Sequence, residues 1–190
     1  MLKLDLGSGN NVKPGFEGVD ISAEKAKWKM DLIYDAPWPW QYNEVDELYS
    51  SHFIEHIPQG VMGVYNDDSK NKNYFFHFFD ECYRIIKPNG LFTVIWPALQ
   101  SVRAFQDPTH TRYIPVETMF YLSKKWRKEN GLDHYNVECD WILEGAPNVI
   151  VNGETLRFTQ ERMHHSFLWN VQSDVQCTLK AVKEVCQVVK

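Results

Sequence analysis

The stretch LKLDLGSGNNVKPGFEGVDIS, residues 2–22, constrains the fold more than any other part of the chain. It consists of an apolar strand over 2–6, a glycine turn and a second short strand over 17–21. The connection contains Pro14 and Gly15 and is too short for a full crossover helix, so we expect a turn or a short helical piece. Such a beginning is typical of a parallel sheet that binds a nucleotide at its strand ends.

The turn favours a nucleotide without a pyrophosphate. Gly7 and Gly9 form a GxG, but the third glycine of the dinucleotide fingerprint is missing. Asp20 ends the second strand, where a carboxylate can bind ribose hydroxyls, and Asp31 could accept from an exocyclic amine. Asp5 precedes the glycines, where it suits a positive charge better than a phosphate. The inferred ligand has adenine, ribose and a cationic end, as S-adenosylmethionine does.

The hydrophobic pattern of the rest of the chain predicts further strands and helices. It predicts strands around 29–32 and over 44–51 and 91–96, a helix over 73–87 that Pro88, Asn89 and Gly90 stop, and a second helix over 115–131. Residues 136–143 and 174–185 predict an antiparallel strand pair, with a hairpin turning at Asn152-Gly153 between them. The expected fold class is α/β, a Rossmann-like, mostly parallel sheet flanked by helices, in a single domain over 1–190.

Composition limits the partners and the compartment. The net charge of −5 disfavours a general nucleic-acid binder, although the basic cluster at 124–128 leaves a phosphate-bearing substrate or nucleic acid open. The four cysteines are scattered without a CxxC pair, as in a cytoplasmic protein with reduced thiols. Met1 leads straight into a strand, so we expect no signal peptide, and no apolar run is long enough to span a membrane.

Five segments together resemble a class I S-adenosylmethionine-dependent methyltransferase of the small type 11-like group. They occur in the family's order and are LDLGSGN (4–10), GVDIS (18–22), MDL (30–32), VDELYSSHFIEHI (45–57) and ECYRIIKPNGLFTVIWP (81–97). The resemblance implies a methyl transfer from S-adenosylmethionine to an acceptor that the sequence does not identify. The helix that usually precedes the first strand is absent, from which we expect an open site, a partner or second copy that completes it, or a shortened chain.

The resemblance also implies roles for individual residues. The cofactor-binding positions would be Asp5, Gly7, Ser8, Gly9, Asp20, Ile21, Asp31, Leu32, Ser51 and His52. The segment DPTHTRY (107–113) resembles one that lies beside the acceptor site. We therefore expect His110 or His52 to act as the catalytic base, and His110 and Arg112 to contact the acceptor.

The segment HFIEH, residues 52–56, raises an alternative. H-x-x-E-H is the inverted zinc-protease motif, in which both histidines lie on one helix and bind the metal. Pro58 and Gly60 follow at once and a strand precedes directly, so we expect no such helix and no bound metal. A metal hydrolase that uses His52, Glu55 and His56 stays open, as does a non-catalytic S-adenosylmethionine-binding subunit.

Overall fold

A computed structural model of the chain describes residues 1–62, 72–151, 154–157 and 169–183. Its strands are β1 (Lys3–Leu6), β2 (Glu17–Asp20), β3 (Trp28–Lys29), β4 (Val45–Ser51), β5 (Val61–Met62), β6 (Lys72–Asn73), β7 (Ile86–Pro97), β8 (Trp141–Leu143), β9 (Asn148–Val151), β10 (Glu154–Arg157) and β11 (Asp174–Ala181). Its α-helices are α1 (Tyr74–Ile85), α2 (Arg103–Gln106) and α3 (Lys124–Glu129). None of the helices in these ranges is long and apolar enough to cross a membrane.

The central sheet is parallel over the first half of the chain, as predicted. Its strands lie in the order β3-β2-β1-β4-β7, and each neighbouring pair in this run is parallel. Leu4, Leu6, Val19 and Leu48 on these strands are completely buried, because the inner strands are covered on both faces. The carboxyl ends of β1, β2, β3, β4 and β7 therefore meet at one edge of the sheet.

The antiparallel end of the fold is also confirmed, and it joins the same sheet. β11 pairs antiparallel with β7 along one edge and with β8 and β9 along the other. Because β11 runs against β7, its first residue, Asp174, lies beside Pro97 at the carboxyl edge of the parallel strands. β9 and β10 form the expected hairpin, with Val151 opposite Glu154, and the Asn152-Gly153 turn lies outside the described residues.

The β1–β2 connection and the two ends of α1 can be explained from the local sequence. No helix joins β1 to β2, as expected from their short connection. Helix α1 begins after Asn73, whose side chain accepts a hydrogen bond from the backbone N–H of Phe75, and its apolar face is buried. It ends at Ile85, because Ile86 is already extended and begins β7. The segment Pro88–Gly90 therefore lies within β7 and does not stop the helix.

Further predicted elements differ from those in the structure. The helix predicted over 115–131 is wrong: a 3₁₀ segment, Val116–Leu122, is separated from α3 by the extended residue Ser123. The Ser123 hydroxyl accepts from the backbone N–H of Trp126 and caps α3, so the serine starts a new helix. β3 ends at Lys29, before the predicted 29–32 is complete, and of 136–143 only β8 is a strand.

Candidate functional site

The glycine turn after β1 lies at the carboxyl edge of the sheet. The backbone N–H of Gly7 donates to the Val19 carbonyl at 2.9 Å, which ties the turn to β2. Gly7 has φ +69°, and a Cβ placed on it would lie 2.4 Å from the ring of Phe53. Gly9 has φ +52°, with open space where its Cβ would be. The turn therefore needs glycine twice for its backbone, and at Gly7 also for space.

The carboxylate of Asp20 holds this turn together. Its Oδ2 accepts from the N–H of Gly9 at 3.0 Å, and its Oδ1 accepts from the N–H groups of Ser22 and Ala23 at 2.9 Å each. Burial alone would raise the pKa of Asp20, but these three hydrogen bonds and nearby Lys29 together lower it. Asp20 is therefore an oriented, ionised acceptor at the end of β2.

A cavity of about 170 Å³ opens between the ends of β1, β2 and β3. Seven residues line it: Gly7, Asp20, Ile21, Met30, Asp31, Leu32 and Phe53. Five of the seven are cofactor-binding positions predicted from the sequence, which folding brings together from three separate segments. Phe53 and Met30 were missed, because an apolar residue after a strand gives no sequence signal beyond that of the core.

Asp31, which follows β3, accepts hydrogen bonds from backbone N–H groups, as Asp20 does after β2. Asp31 Oδ1 accepts from the N–H groups of Ile33 and Tyr34 at 2.8 and 3.2 Å. This local hydrogen bonding forms the turn that ends β3 early. Ile21 is 64% exposed beside the cavity, although it is a large apolar side chain. The cavity therefore has an apolar side chain, Ile21, at its rim and two carboxylates, Asp20 and Asp31, held by backbone hydrogen bonds.

The remaining predicted cofactor positions do not line the cavity. Asp5 is buried beneath the turn, where Oδ2 accepts from the N–H of Lys13 at 2.8 Å. Burial raises the pKa of Asp5, partly offset by this bond and by the Lys13 charge. The hydroxyl of Ser8 donates to the Gly9 carbonyl, and Ser51 is the last residue of β4, beside Ile95.

His52 occupies an unusual backbone position directly after β4. Four non-glycine residues of the described chain have positive φ; three are asparagines, and the fourth is His52 at φ +56°. Its Nδ1 lies 3.2 Å from Glu55 Oε1 and its Nε2 lies 3.7 Å from Asp174 Oδ1. Asp174 in turn contacts Arg103 Nε at 3.3 Å. The strained backbone thus holds a partly exposed imidazole between two buried carboxylates.

His110 approaches the same Glu55 oxygen as His52 does. Its Nδ1 is 2.9 Å from the Ala104 carbonyl, and its Nε2 is 3.9 Å from Glu55 Oε1. Its ring also meets the edge of His56, with 4.7 Å between the ring centroids. The two predicted candidate bases, His52 and His110, therefore belong to one cluster, and Glu55, which the sequence did not single out as their link, lies between them.

The backbone N–H of Arg112 donates to the Glu55 carbonyl at 3.1 Å, but the Arg112 side chain makes its contacts outside the histidine cluster. Its guanidinium donates to the carbonyls of Ile57 and Pro58 at 2.8 and 2.6 Å and to the Asn73 side chain at 3.1 Å. It lines a separate cavity of about 310 Å³ that is rich in aromatic side chains. Burial lowers the pKa of Arg112. The expected contact of Arg112 with the acceptor stays a prediction. The hydrogen bonds of its guanidinium described above are all to other residues of the protein.

These bonds predict a structural role for Arg112. We expect Arg112→Ala to lower the free energy of unfolding by about 2–3 kcal/mol, because charged hydrogen bonds contribute about 1.5–3 kcal/mol each and are not additive. Urea denaturation measures this. Lys125→Ala, which removes a side chain that is 83% exposed, is the control and should change stability by less than about 0.5 kcal/mol. Equal stability of the two variants would contradict this role.

The two turn glycines provide a matched pair for a second stability prediction. Gly9→Ala should lower the free energy of unfolding by about 1–2 kcal/mol, the strain of a left-handed alanine. Gly7→Ala should lower it by about 2–5 kcal/mol, because its methyl group must also displace Phe53. The same denaturation measurement compares them, and equal losses would show that the contact with Phe53 is unimportant.

The HFIEH segment does not form the helix that a zinc-protease motif requires. Only Ile54–His56 is helical, as a single 3₁₀ turn, and the chain is extended again at Ile57. His52 lies before this turn in the left-handed region. The motif thus lacks the long helix that would place both histidines on one face, as the sequence predicted.

No family model matches the chain, and no curated protein matches it in sequence. Among solved structures, an S-adenosylmethionine-dependent methyltransferase from Archaeoglobus fulgidus superimposes with a TM-score of 0.55, over 94% of this chain and 85% of that one, at 18% identity. The chain has the class I methyltransferase fold.

Two further structures share this fold at similar distance. A chain in the complex between the Haloferax volcanii Trm112 methyltransferase activator and a protein named as a methyltransferase gives a TM-score of 0.55 at 15% identity, over 97% of this chain and 83% of that one. Haemonchus contortus phosphoethanolamine N-methyltransferase 2, in complex with S-adenosylmethionine, gives 0.50 at 14% identity, over 97% of this chain and 49% of that one. At these identities the likeness concerns the fold.

Proposed function

We propose that the protein is an S-adenosylmethionine-dependent methyltransferase. The observation that carries this proposal is the cavity at the carboxyl edge of the sheet, where five predicted cofactor positions from three segments come together. Ligands of open α/β sheets bind at this edge. The fold shared with methyltransferases supports the same conclusion, and one of those neighbours was solved in complex with S-adenosylmethionine.

The cavity suits the nucleoside part of this cofactor. Asp20 would accept from the ribose hydroxyls, since its carboxylate is ionised and fixed by backbone N–H groups. Asp31 would accept from the adenine amine, while Ile21 and Phe53 would cover the ring with apolar surface. Asp5 would act indirectly in this arrangement, by holding the loop at Lys13 beneath the turn.

The protein's chemical contribution would be alignment and proton removal. The sulfonium methyl group is already activated, so the protein must hold the acceptor in line and take its proton where it carries one. His52 is the better-placed base: Glu55, 3.2 Å from Nδ1, would accept from Nδ1–H, which leaves Nε2, 3.7 Å from Asp174 Oδ1, as the atom that would take the proton. His110 is less accessible, since its side chain is only 7% exposed.

Three exposed aromatic rings suggest where the acceptor approaches. Phe105, Tyr113 and Trp169 are each at least 46% exposed, and the ring of Phe105 stacks with those of Tyr113 and Trp169 at centroid distances of 4.6 and 5.8 Å. Phe105 follows Ala104, whose carbonyl holds His110, so the stack adjoins the histidine cluster. A partner or second copy that completes the open site stays a prediction, as does a cytoplasmic location.

Labelled cofactor tests the proposal. The protein is incubated with methyl-labelled S-adenosylmethionine and fractionated pools of small molecules, protein and RNA. The proposal predicts that label moves to one pool and that S-adenosylhomocysteine forms in equal amount. A protein that binds the cofactor but transfers label to no pool would be the non-catalytic subunit. A protein that leaves the cofactor intact and hydrolyses ester or amide substrates would be the metal hydrolase.

A further inference from the structure

We infer that Glu55, His56 and His110 form a binding site for a divalent transition-metal ion such as Zn²⁺. One ring nitrogen of each histidine and one oxygen of Glu55 all lie within 4.8 Å of one another. The ligands come from two segments, the 3₁₀ turn after β4 and the loop that follows α2. This set shares Glu55 and His56 with the protease-like set and has His110 in place of His52, and it departs from the sequence-based expectation of no bound metal.

Hydrogen bonding fixes the tautomer of His110. Its Nδ1 lies 2.9 Å from the Ala104 carbonyl, which can only accept, so Nδ1 carries the proton. In the neutral ring Nε2 then presents its lone pair, and this atom lies 3.9 Å from Glu55 Oε1. Histidine ligands of metal ions are usually fixed in this way, by donation of the other ring N–H to a carbonyl or carboxylate.

The same reasoning fixes His56. The Thr109 hydroxyl lies 2.6 Å from Asp107 Oδ1 and 3.0 Å from His56 Nδ1. A hydroxyl has one hydrogen, and the carboxylate can only accept, so Thr109 donates to Asp107 and accepts from His56 Nδ1–H. The lone pair of His56 is therefore on Nε2. Both histidines thus have an outer partner and one nitrogen left to bind a metal.

Glu55 supplies the negatively charged ligand of this site. Its side chain is 2% exposed, and its Oε2 has no hydrogen-bond partner among the described residues. Glu55 Oε1 accepts from His52 Nδ1–H, but Oε2 and the two imidazole lone pairs are acceptors that an added cation would satisfy. Two imidazoles and one carboxylate form a known zinc-ligand set and suit the softer transition metals better than Mg²⁺.

The three ligand atoms need to move only slightly closer together to bind a zinc ion. Ligand atoms bound to zinc at ~2.0–2.1 Å lie about 3.3 Å apart in a tetrahedron. The present separations are at most 4.8 Å, so side-chain movements of about 1 Å would complete the site. Thr109 is exposed and His56 is partly so, which gives an ion a path from solvent.

Zinc binding by the purified protein tests this inference. The metal-stripped protein is titrated with Zn²⁺ against a chromogenic chelator, without cofactor or acceptor. We expect one saturable site per chain and weaker binding of Mg²⁺. His56→Ala and Glu55→Gln should each weaken the zinc affinity by more than about 100-fold. Thr109→Val, which removes only the outer partner of His56, should weaken it by about 10–100-fold.

His134→Ala is the control, because it removes a histidine outside the cluster and should leave the affinity unchanged. Thermal unfolding confirms that each variant is folded, and Thr109→Val still decides the matter if a buried variant fails to fold. Absence of a saturable zinc site in the wild type would overturn the inference, as would equal affinities of the wild type and Thr109→Val. Because methyl transfer is not measured, this result is separate from the test of the proposed function.

Discussion

His52→Asn is expected to lower the turnover of methyl transfer by about 10²–10⁴-fold, while the affinity for S-adenosylmethionine stays within about twofold. This is the usual contribution of a positioned general base. Asparagine is the appropriate replacement because it tolerates the left-handed backbone that His52 adopts at φ +56°, whereas alanine would add strain. Single-turnover kinetics with a saturating acceptor, once labelling has identified one, measure the chemical step.

His134→Asn is the matched control for this variant, because it makes the same exchange outside the cluster. Glu55→Gln gives a second measure: it should lower turnover with the cofactor affinity intact, since a neutral amide holds the Nδ1–H tautomer of His52 less strongly. If His52→Asn turns over at the wild-type rate, His52 is not the base, and His110 becomes the candidate.

Asp20→Ala is expected to weaken S-adenosylmethionine binding by about 10–150-fold. A hydrogen bond to a charged partner contributes about 1.5–3 kcal/mol, and the ribose hydroxyls would lose their ionised acceptor. The backbone N–H groups of Gly9, Ser22 and Ala23 also lose theirs, so part of the loss will come from a looser turn. Calorimetric titration with the cofactor measures the affinity directly.

Asp46→Ala is the control, because Asp46 lies at the opposite edge of the sheet, where it accepts from the N–H of Leu2 and pairs with Lys87. Asp20→Asn separates charge from shape, since it keeps the side-chain volume and should retain more of the turn's stability. An affinity for Asp20→Ala equal to that of the wild type would reject the ribose-binding role of this residue.

The parallel half of the fold was predictable because its signals are local. Short apolar runs, the glycine turn and the acids after β2 and β3 each follow from a few neighbouring residues. Strand ends of a parallel sheet meet at one edge, so Gly7, Asp20 and Asp31 could be grouped by their positions after predicted strands. The cavity brings these three together.

The histidine cluster was predictable only in part, because it depends on distant pairings. Asp174 reaches His52 only through the antiparallel register of β11 on β7, which no local pattern indicates. Glu55 was hidden in an apparent protease motif, and its burial between two histidines appears only in three dimensions. The predicted helix 115–131 failed for a different reason, since the Ser123 cap outweighs the continuous helical periodicity.

Calorimetric titration of the wild-type protein with S-adenosylmethionine, S-adenosylhomocysteine and NAD⁺ is the sharpest test of the proposed cofactor binding, because it requires no knowledge of the acceptor. The cavity at the ends of β1, β2 and β3 predicts saturable one-to-one binding of the first two ligands, weakened in Asp20→Ala, and no measurable binding of NAD⁺. Binding of NAD⁺ without binding of S-adenosylmethionine would contradict the account.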